Sequence, residues 1–191
     1  MRSRWLRHAM RLRADQRGVT AIEFAFVAPI FFFLMFVIAE TAILFVAEQV
    51  MDNAVFESAR LIRTGQAQKG TWPNPDEDAA PAPMTAADFE ADVCRRMAVF
   101  ISCDSPNFYL DVKSYANFSE MEIGRPVDEE ENFEDPGAYE FGGSGEIVVV
   151  RAYYQWPTNK IYGNLSLKNM DNGKRMIGSF AAFRNEPFDP S

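Results

Sequence analysis

The fold of this chain is decided by residues 24–47, which read FAFVAPIFFFLMFVIAETAILFVA. The stretch contains a single charged residue, Glu40, and shows almost no polar side chain before it. As a helix, these 24 residues would span roughly 36 Å, which is enough to cross a hydrocarbon core of about 30 Å. Because a core helix of a soluble protein would carry a polar face, the stretch predicts a transmembrane helix.

The charges on either side of this stretch predict its orientation. Six arginines and one aspartate precede Gly18, whereas Glu48, Asp52 and Glu57 follow the stretch before the next basic residue, Arg60. The positive-inside rule keeps the basic flank in the cytoplasm. We therefore predict a single-pass protein whose N-terminus is cytoplasmic and whose C-terminal domain lies outside the cytoplasm.

The helix is expected to continue past the membrane. Apolar residues recur at spacings of three and four from Ala47 to Ile62, and Gly65 is a natural stop, so we predict a helix over about 19–64. The predicted domain organisation is a basic cytoplasmic leader at 1–18, a transmembrane helix at 19–47, an amphipathic continuation at 48–65, a Pro- and Gly-rich linker at 66–83 and an extracytoplasmic domain at 84–191.

The C-terminal domain is predicted to be α+β. Thr85 with Asp88 resembles a capping box and opens a helix. Alternating or β-branched residues predict strands over 108–115, 147–156 and 176–183, with an acidic loop over 120–145. The expected fold class is therefore a long N-terminal transmembrane helix, followed by a small domain with one or two helices and a three- or four-stranded antiparallel sheet.

Composition argues against several function classes. The net charge of −8 disfavours a nucleic-acid partner, which needs clustered lysines and arginines. The single histidine, His8, lies in the leader, so the domain cannot assemble a Ser-His-Asp or Cys-His pair. The acidic loop lacks the spaced pattern of a calcium loop. We therefore expect a protein that is not an enzyme and that needs no cofactor or metal.

Cys94 and Cys103 are the two cysteines of the chain. Outside the cytoplasm thiols are usually oxidised, so we predict a disulfide between them. The alternatives are two buried free thiols or a redox pair. The usual redox motif has two residues between its cysteines, whereas eight separate these two.

The residues at the foot of the apolar stretch form a motif. Residues 17–24 (RGVTAIEF) place a glycine after the basic leader, then four uncharged residues, then Glu-Phe. This arrangement is similar to the processing site of type IV prepilins and pseudopilins, although Val19 stands where an aromatic residue is commonest. The resemblance implies cleavage by a prepilin peptidase between Gly18 and Val19, with Glu23 as the acid that assists assembly. The alternative is an ordinary signal anchor with Glu23 at the headgroup boundary.

A longer stretch, residues 18–40 (GVTAIEFAFVAPIFFFLMFVIAE), resembles the TadE-like family. The ending FAAFRNEPF at Phe180–Phe188 and the cysteine pair ahead of a strand are also similar to that family. The resemblance implies a pseudopilin or minor pilin role in Tad (Flp) pilus biogenesis, at the bacterial inner membrane with a periplasmic domain. Implied partners are a prepilin peptidase, other pilin or pseudopilin subunits, pilus assembly proteins and the lipid bilayer.

Two alternatives stay open at this point. Glu40 either pairs with a charged group of a partner subunit inside the bilayer or reaches the nearby outer interface, because a carboxylate in hydrocarbon is costly. The chain as a whole is either such a pilus component or a permanently anchored periplasmic binding or sensory module that keeps its leader.

Overall fold

The structure is a computed structural model. It describes residues 18–73, 80–103, 106–121, 124, 126–130, 132–133, 139–158 and 167–189. Residues 1–17 of the predicted leader lie outside this description, as do Glu131, Glu134 and Asp135 of the acidic loop. The chain divides into two compact units between Leu44 and Phe45.

The first helix, α1, covers Val19–Arg63. Its bounds agree with the helix that the sequence predicts over about 19–64. Gly65 follows with a φ of 75°, and its N–H donates to the Ile62 carbonyl at 3.0 Å. A Cβ at Gly65 would lie 2.6 Å from the Phe188 ring. Glycine therefore ends α1 because both the left-handed backbone and the close approach of Phe188 exclude a side chain.

The two parts of α1 differ in exposure. Large apolar side chains from Val19 to Phe36 are between 37% and 75% exposed. Within the second unit, by contrast, Met51, Val55 and Ile62 are fully buried. By length and composition, α1 can cross a membrane, as the sequence predicts. We call residues 19–44 the apolar half of α1 and residues 45–191 the head unit.

Two further α-helices and a 3-10 helix at Phe118–Glu120 lie in the described part of the head unit. A short helix, α2, covers Gln66–Lys69 within the segment predicted as a linker. The next helix, α3, covers Ala86–Met97 and begins with the predicted capping box. The Thr85 side chain accepts from the Asp88 N–H at 3.2 Å, and the Asp88 carboxylate accepts from the Thr85 N–H at 2.9 Å. The Thr85 hydroxyl donates to Asp88 Oδ2 at 2.6 Å, and this hydrogen bond, followed by the one from the Thr85 N–H, lowers the pKa of Asp88.

The described strands form one antiparallel sheet in the order β1-β2-β3. Strand β1 covers Phe108–Tyr115, β2 covers Ile147–Pro157 and β3 covers Lys174–Arg184. Val112 pairs with Val150, which in turn pairs with Ala181. The α+β class and the three-stranded sheet are therefore confirmed.

The core of the head unit combines α1, α3 and one face of the sheet. A buried carboxylate ties the two helices together, since the Ser58 hydroxyl donates to Asp92 Oδ2 at 2.7 Å. Arg96 also donates to Asp92, at 2.9 Å. The apolar core side chains include Met51, Val55, Leu61, Ile62, Phe89, Val93, Met97, Val112, Val148, Val150 and Ile177.

The opposite face of the sheet holds a buried ion pair. Residue alternation in β1 predicts Asp111 on the face away from Leu110 and Val112, and the structure buries that carboxylate completely. Arg151, its cross-strand partner, donates from Nε to Asp111 Oδ1 at 2.9 Å. This hydrogen bond raises the pKa of Arg151, so the guanidinium stays charged inside the fold.

Candidate functional site

The start of α1 carries the predicted processing residues. Gly18 directly precedes the helix, Val19 is its first residue, and both are exposed. A Cβ at Gly18 would meet nothing within 4 Å. Among the described residues, therefore, none packs so closely against position 18 that a glycine is required there. We call residues 18–23 the processing segment.

Glu23 lies one turn into the helix and is also exposed. Residues four apart share a helix face, so Val19 and Glu23 lie on the same side of α1. The N-terminus of a helix carries a partial positive charge, which favours a carboxylate nearby. The structure thus places Val19, which follows the predicted cleavage position, and the predicted assembly acid on one accessible face.

Glu40 lies further along the same helix and is half-buried. At about 100° per residue, its side chain points roughly 100° around the helix axis from that of Glu23. The neighbouring Thr41 hydroxyl donates to the Val37 carbonyl at 2.8 Å, so that polar group is satisfied within the helix. The two acids therefore do not form one site on α1.

The two cysteines are brought together in the head unit. Cys94 lies on α3 and Cys103 lies six residues beyond its end, and the structure joins them with their Cα atoms 5.9 Å apart. The geometry agrees with the predicted disulfide, in preference to two free thiols. The bond fixes the segment that leaves α3.

A cleft beside β3 was not predicted from the sequence. It has a volume of about 300 Å³ and is lined by Phe56, Glu57, Ala59, Arg60 and Arg63 of α1 together with Ala181, Ala182 and Phe183 of β3. Phe56 is 57% exposed, and it is an apolar residue on the polar side of the amphipathic part of α1. That departure from the helical pattern is the signal by which sequence reasoning could have found this surface.

Glu146 is an acid of the head unit that has a structural role. Glu146 accepts from the Gly143 N–H at 2.7 Å and from the Ser114 hydroxyl at 3.0 Å, and these hydrogen bonds lower its pKa. Among the described residues, no three His, Cys, Asp or Glu side chains are grouped so that they could hold a metal ion.

Fold and site together define a class: a protein with one N-terminal helix able to span a membrane and an α+β head unit. Residues 18–60 match the family model described as TadE-like protein. The resemblance to the TadE-like family is thereby confirmed over the processing segment and most of α1. Comparisons with curated proteins and with solved structures gave no match. The TadE-like segment suggests involvement in the Tad pilus system, whose TadE-like members are not known as enzymes.

Proposed function

We propose that this chain is a pseudopilin of the Tad (Flp) pilus system and acts by helix–helix assembly in the inner membrane. The observation that carries the proposal is the exposed processing segment at the start of a 45-residue helix, inside the region that matches the TadE-like model. In this proposal the leader is cytoplasmic, a prepilin peptidase cleaves between Gly18 and Val19, and the head unit is periplasmic.

Cleavage would create a new positive charge at the start of the helix, close to Glu23. The free amino group of Val19 would lie on the same face as Glu23, one turn away. A carboxylate in or near hydrocarbon is costly unless it is paired. A neighbouring subunit's amino group can pair with Glu23 once both leaders are removed, so cleavage and assembly are chemically linked.

The apolar half of α1 supplies the rest of the assembly surface. Its large side chains are mostly exposed in the isolated chain, for example Phe26 at 75% and Ile38 at 68%. In lipid, helices associate through van der Waals packing and occasional polar contacts. Glu40 is the second acid on this half, and a partner subunit that contacts it would present a cation or a hydrogen-bond donor.

Processing is tested by co-expressing the full chain with a prepilin peptidase and measuring its intact mass. The wild-type chain should lose residues 1–18, whereas Gly18→Val should keep them. Gly124→Val is the matched control, because a Cβ at Gly124 also meets nothing within 4 Å. This control should be processed like the wild type. A wild-type chain that retains its leader beside an active peptidase would contradict the proposal and favour a permanently anchored module.

Assembly is tested separately with Glu23→Gln. This change keeps the shape of the side chain and removes its charge, so cleavage should proceed while co-purification with other pilus subunits falls. Because Glu23→Asp keeps a carboxylate that can pair with an amino group, it should retain more assembly than Glu23→Gln. Equal co-purification of all three chains would remove the assigned role of Glu23.

A further inference from the structure

Strand β3 pairs with β2 along one side, and on its other side Asn169 bonds to Met176 near the start of the strand. Met176 shows which backbone groups face outward, because its N–H donates to Asn169 Oδ1 at 2.7 Å and its carbonyl accepts from Asn169 Nδ2 at 3.1 Å. Backbone direction alternates along a strand, so Gly178, Phe180 and Ala182 face the same way. Within the described part of the chain, no hydrogen bond covers their outward groups. We call residues 178–182 the free edge.

The other edge of the sheet is formed by β1, and hydrogen bonds from another segment cover part of it. The outward carbonyl of Leu110 on β1 accepts from the Tyr139 hydroxyl at 2.9 Å, and that of Val112 accepts from the Glu140 N–H at 2.9 Å. Proteins usually protect an exposed edge with charges, prolines or a covering segment. The free edge reads GSFAA, and the described residues place no charge, proline or covering segment along it, so it remains able to pair with another strand.

Exposed aromatic side chains flank the free edge on both faces of the sheet. Phe180 is 45% exposed on the face that also carries Arg151. On the opposite face lies the cleft, which exposes Phe56. A strand added along the free edge would therefore cover two aromatic rings and satisfy the outward backbone groups in one step.

The charges of the cleft indicate what such a strand would carry. Arg60 and Arg63 have side chains about half exposed, and their ion pairs with Glu57 and Glu186 are long, at 3.5 and 3.7 Å. Exposed ion pairs of this kind are weak, so both guanidinium groups can donate instead to a better-placed carboxylate of a partner. The same strand from a second copy would not supply one, because Lys174–Arg184 contains three basic residues and no acid.

We propose that the free edge binds an extended acidic segment of a partner protein, which adds as a fourth strand. Side chains on one face of that segment place carboxylates against Arg60 and Arg63, and an apolar side chain on the other face packs on Phe180. This proposal goes beyond pseudopilin assembly through α1 and does not depend on removal of the leader.

The test measures binding of fluorescent peptides to the full chain in detergent by anisotropy. The probe is a synthetic peptide that alternates glutamate with valine, and the controls are its lysine–valine counterpart and a version N-methylated at alternate residues. The acidic peptide should bind at least tenfold more tightly than either control, because each control lacks one of the two interactions. Equal binding of the acidic and basic peptides, or no binding of the acidic peptide, would overturn the proposal.

Variants of the chain locate the site. Ala182→Pro removes an outward N–H that β2 does not use, so it should weaken the acidic peptide about tenfold, while Ala182→Ser should not. Arg60→Glu with Arg63→Glu should reverse the charge preference, whereas the exposed Lys168→Glu should leave it unchanged. Circular dichroism of each variant serves as the control for folding. Wild-type affinity in both Ala182→Pro and the double arginine variant would overturn the assignment.

A second copy as the occupant is a distinct outcome. Sedimentation of the full chain in detergent would then show self-association that Ala182→Pro abolishes and that the acidic peptide does not compete away. That result would contradict the acidic segment as the occupant of the free edge. Competition of self-association by the peptide would support it.

Discussion

The apolar half of α1 and the part of α1 in the head unit belong to one continuous helix, but their apolar side chains differ in exposure. Met35 is 51% exposed in the apolar half, whereas Met51 is fully buried in the head unit. Both residues are methionine and both lie inside one regular helix, Val19–Arg63. The difference teaches that the backbone conformation of α1 is shared, while the solvent each part requires is not.

The physical reason lies in the residues that accompany the apolar ones. From Ala47 onward, polar residues such as Asp52 and Glu57 leave an apolar stripe for a protein core. Residues 24–39 contain no polar side chain, so this part of the helix has no face that suits water. A soluble fold could not cover this half all around with the head unit alone, whereas a bilayer can.

The strongest effect is expected when the same substitution is made in both parts of α1. Met51→Ala should lower the free energy of unfolding of the head unit by about 2–5 kcal/mol, because it leaves a cavity in the core. Met35→Ala, the matched control, should change that free energy by less than about 0.5 kcal/mol. Urea unfolding in detergent, followed by near-UV circular dichroism, measures both. Equal losses would show that the two parts share one environment.

The disulfide should act on the head unit alone. Replacing both Cys94 and Cys103 by serine opens a short loop, which should lower the free energy of unfolding by about 2–3 kcal/mol on the chain-entropy account. Retention of the chain in the membrane fraction should not change. The same unfolding experiment, run beside membrane fractionation, separates the two results, and a loss of membrane retention would break the distinction between the two parts.

Acid should produce the smallest effect. The pKa values of Asp88 and Glu146 are lowered by their hydrogen bonds in the folded state. Each carboxylate therefore contributes stability that is present above its unfolded pKa, about 4, and is lost as pH falls through the lower folded pKa. The head unit should melt at lower temperature as pH drops from 5 to about 3. In Asp88→Asn with Glu146→Gln the decline should be shallower, and an unchanged slope would contradict the assignment.

Much of the fold follows from the sequence because its signals are local. The length of α1, the Thr85–Asp88 capping box and the positions of β1, β2 and β3 depend on residue periodicity and on caps a few residues apart. The processing segment was also accessible to sequence reasoning, since it is a contiguous motif that the match to residues 18–60 contains.

The features that sequence reasoning missed depend on contacts between distant residues. Ser58 of α1 donates to the buried Asp92 of α3, and Arg151 pairs with the buried Asp111 across the sheet. The free edge of β3 can be recognised only from the structure, which shows that Tyr139 and Glu140 bond to the outer edge of β1 and not to that of β3. Composition alone assigned residues 120–145 to a loop and could not reveal which edge it protects.

The central claim is that the apolar half of α1 lies in lipid. Carbonate extraction of membranes from cells that express the full wild-type chain tests it most directly, because this treatment releases peripheral proteins and retains spanning ones. The account predicts that the chain stays in the membrane pellet and is released by detergent. Recovery of the folded chain in the carbonate supernatant would contradict it.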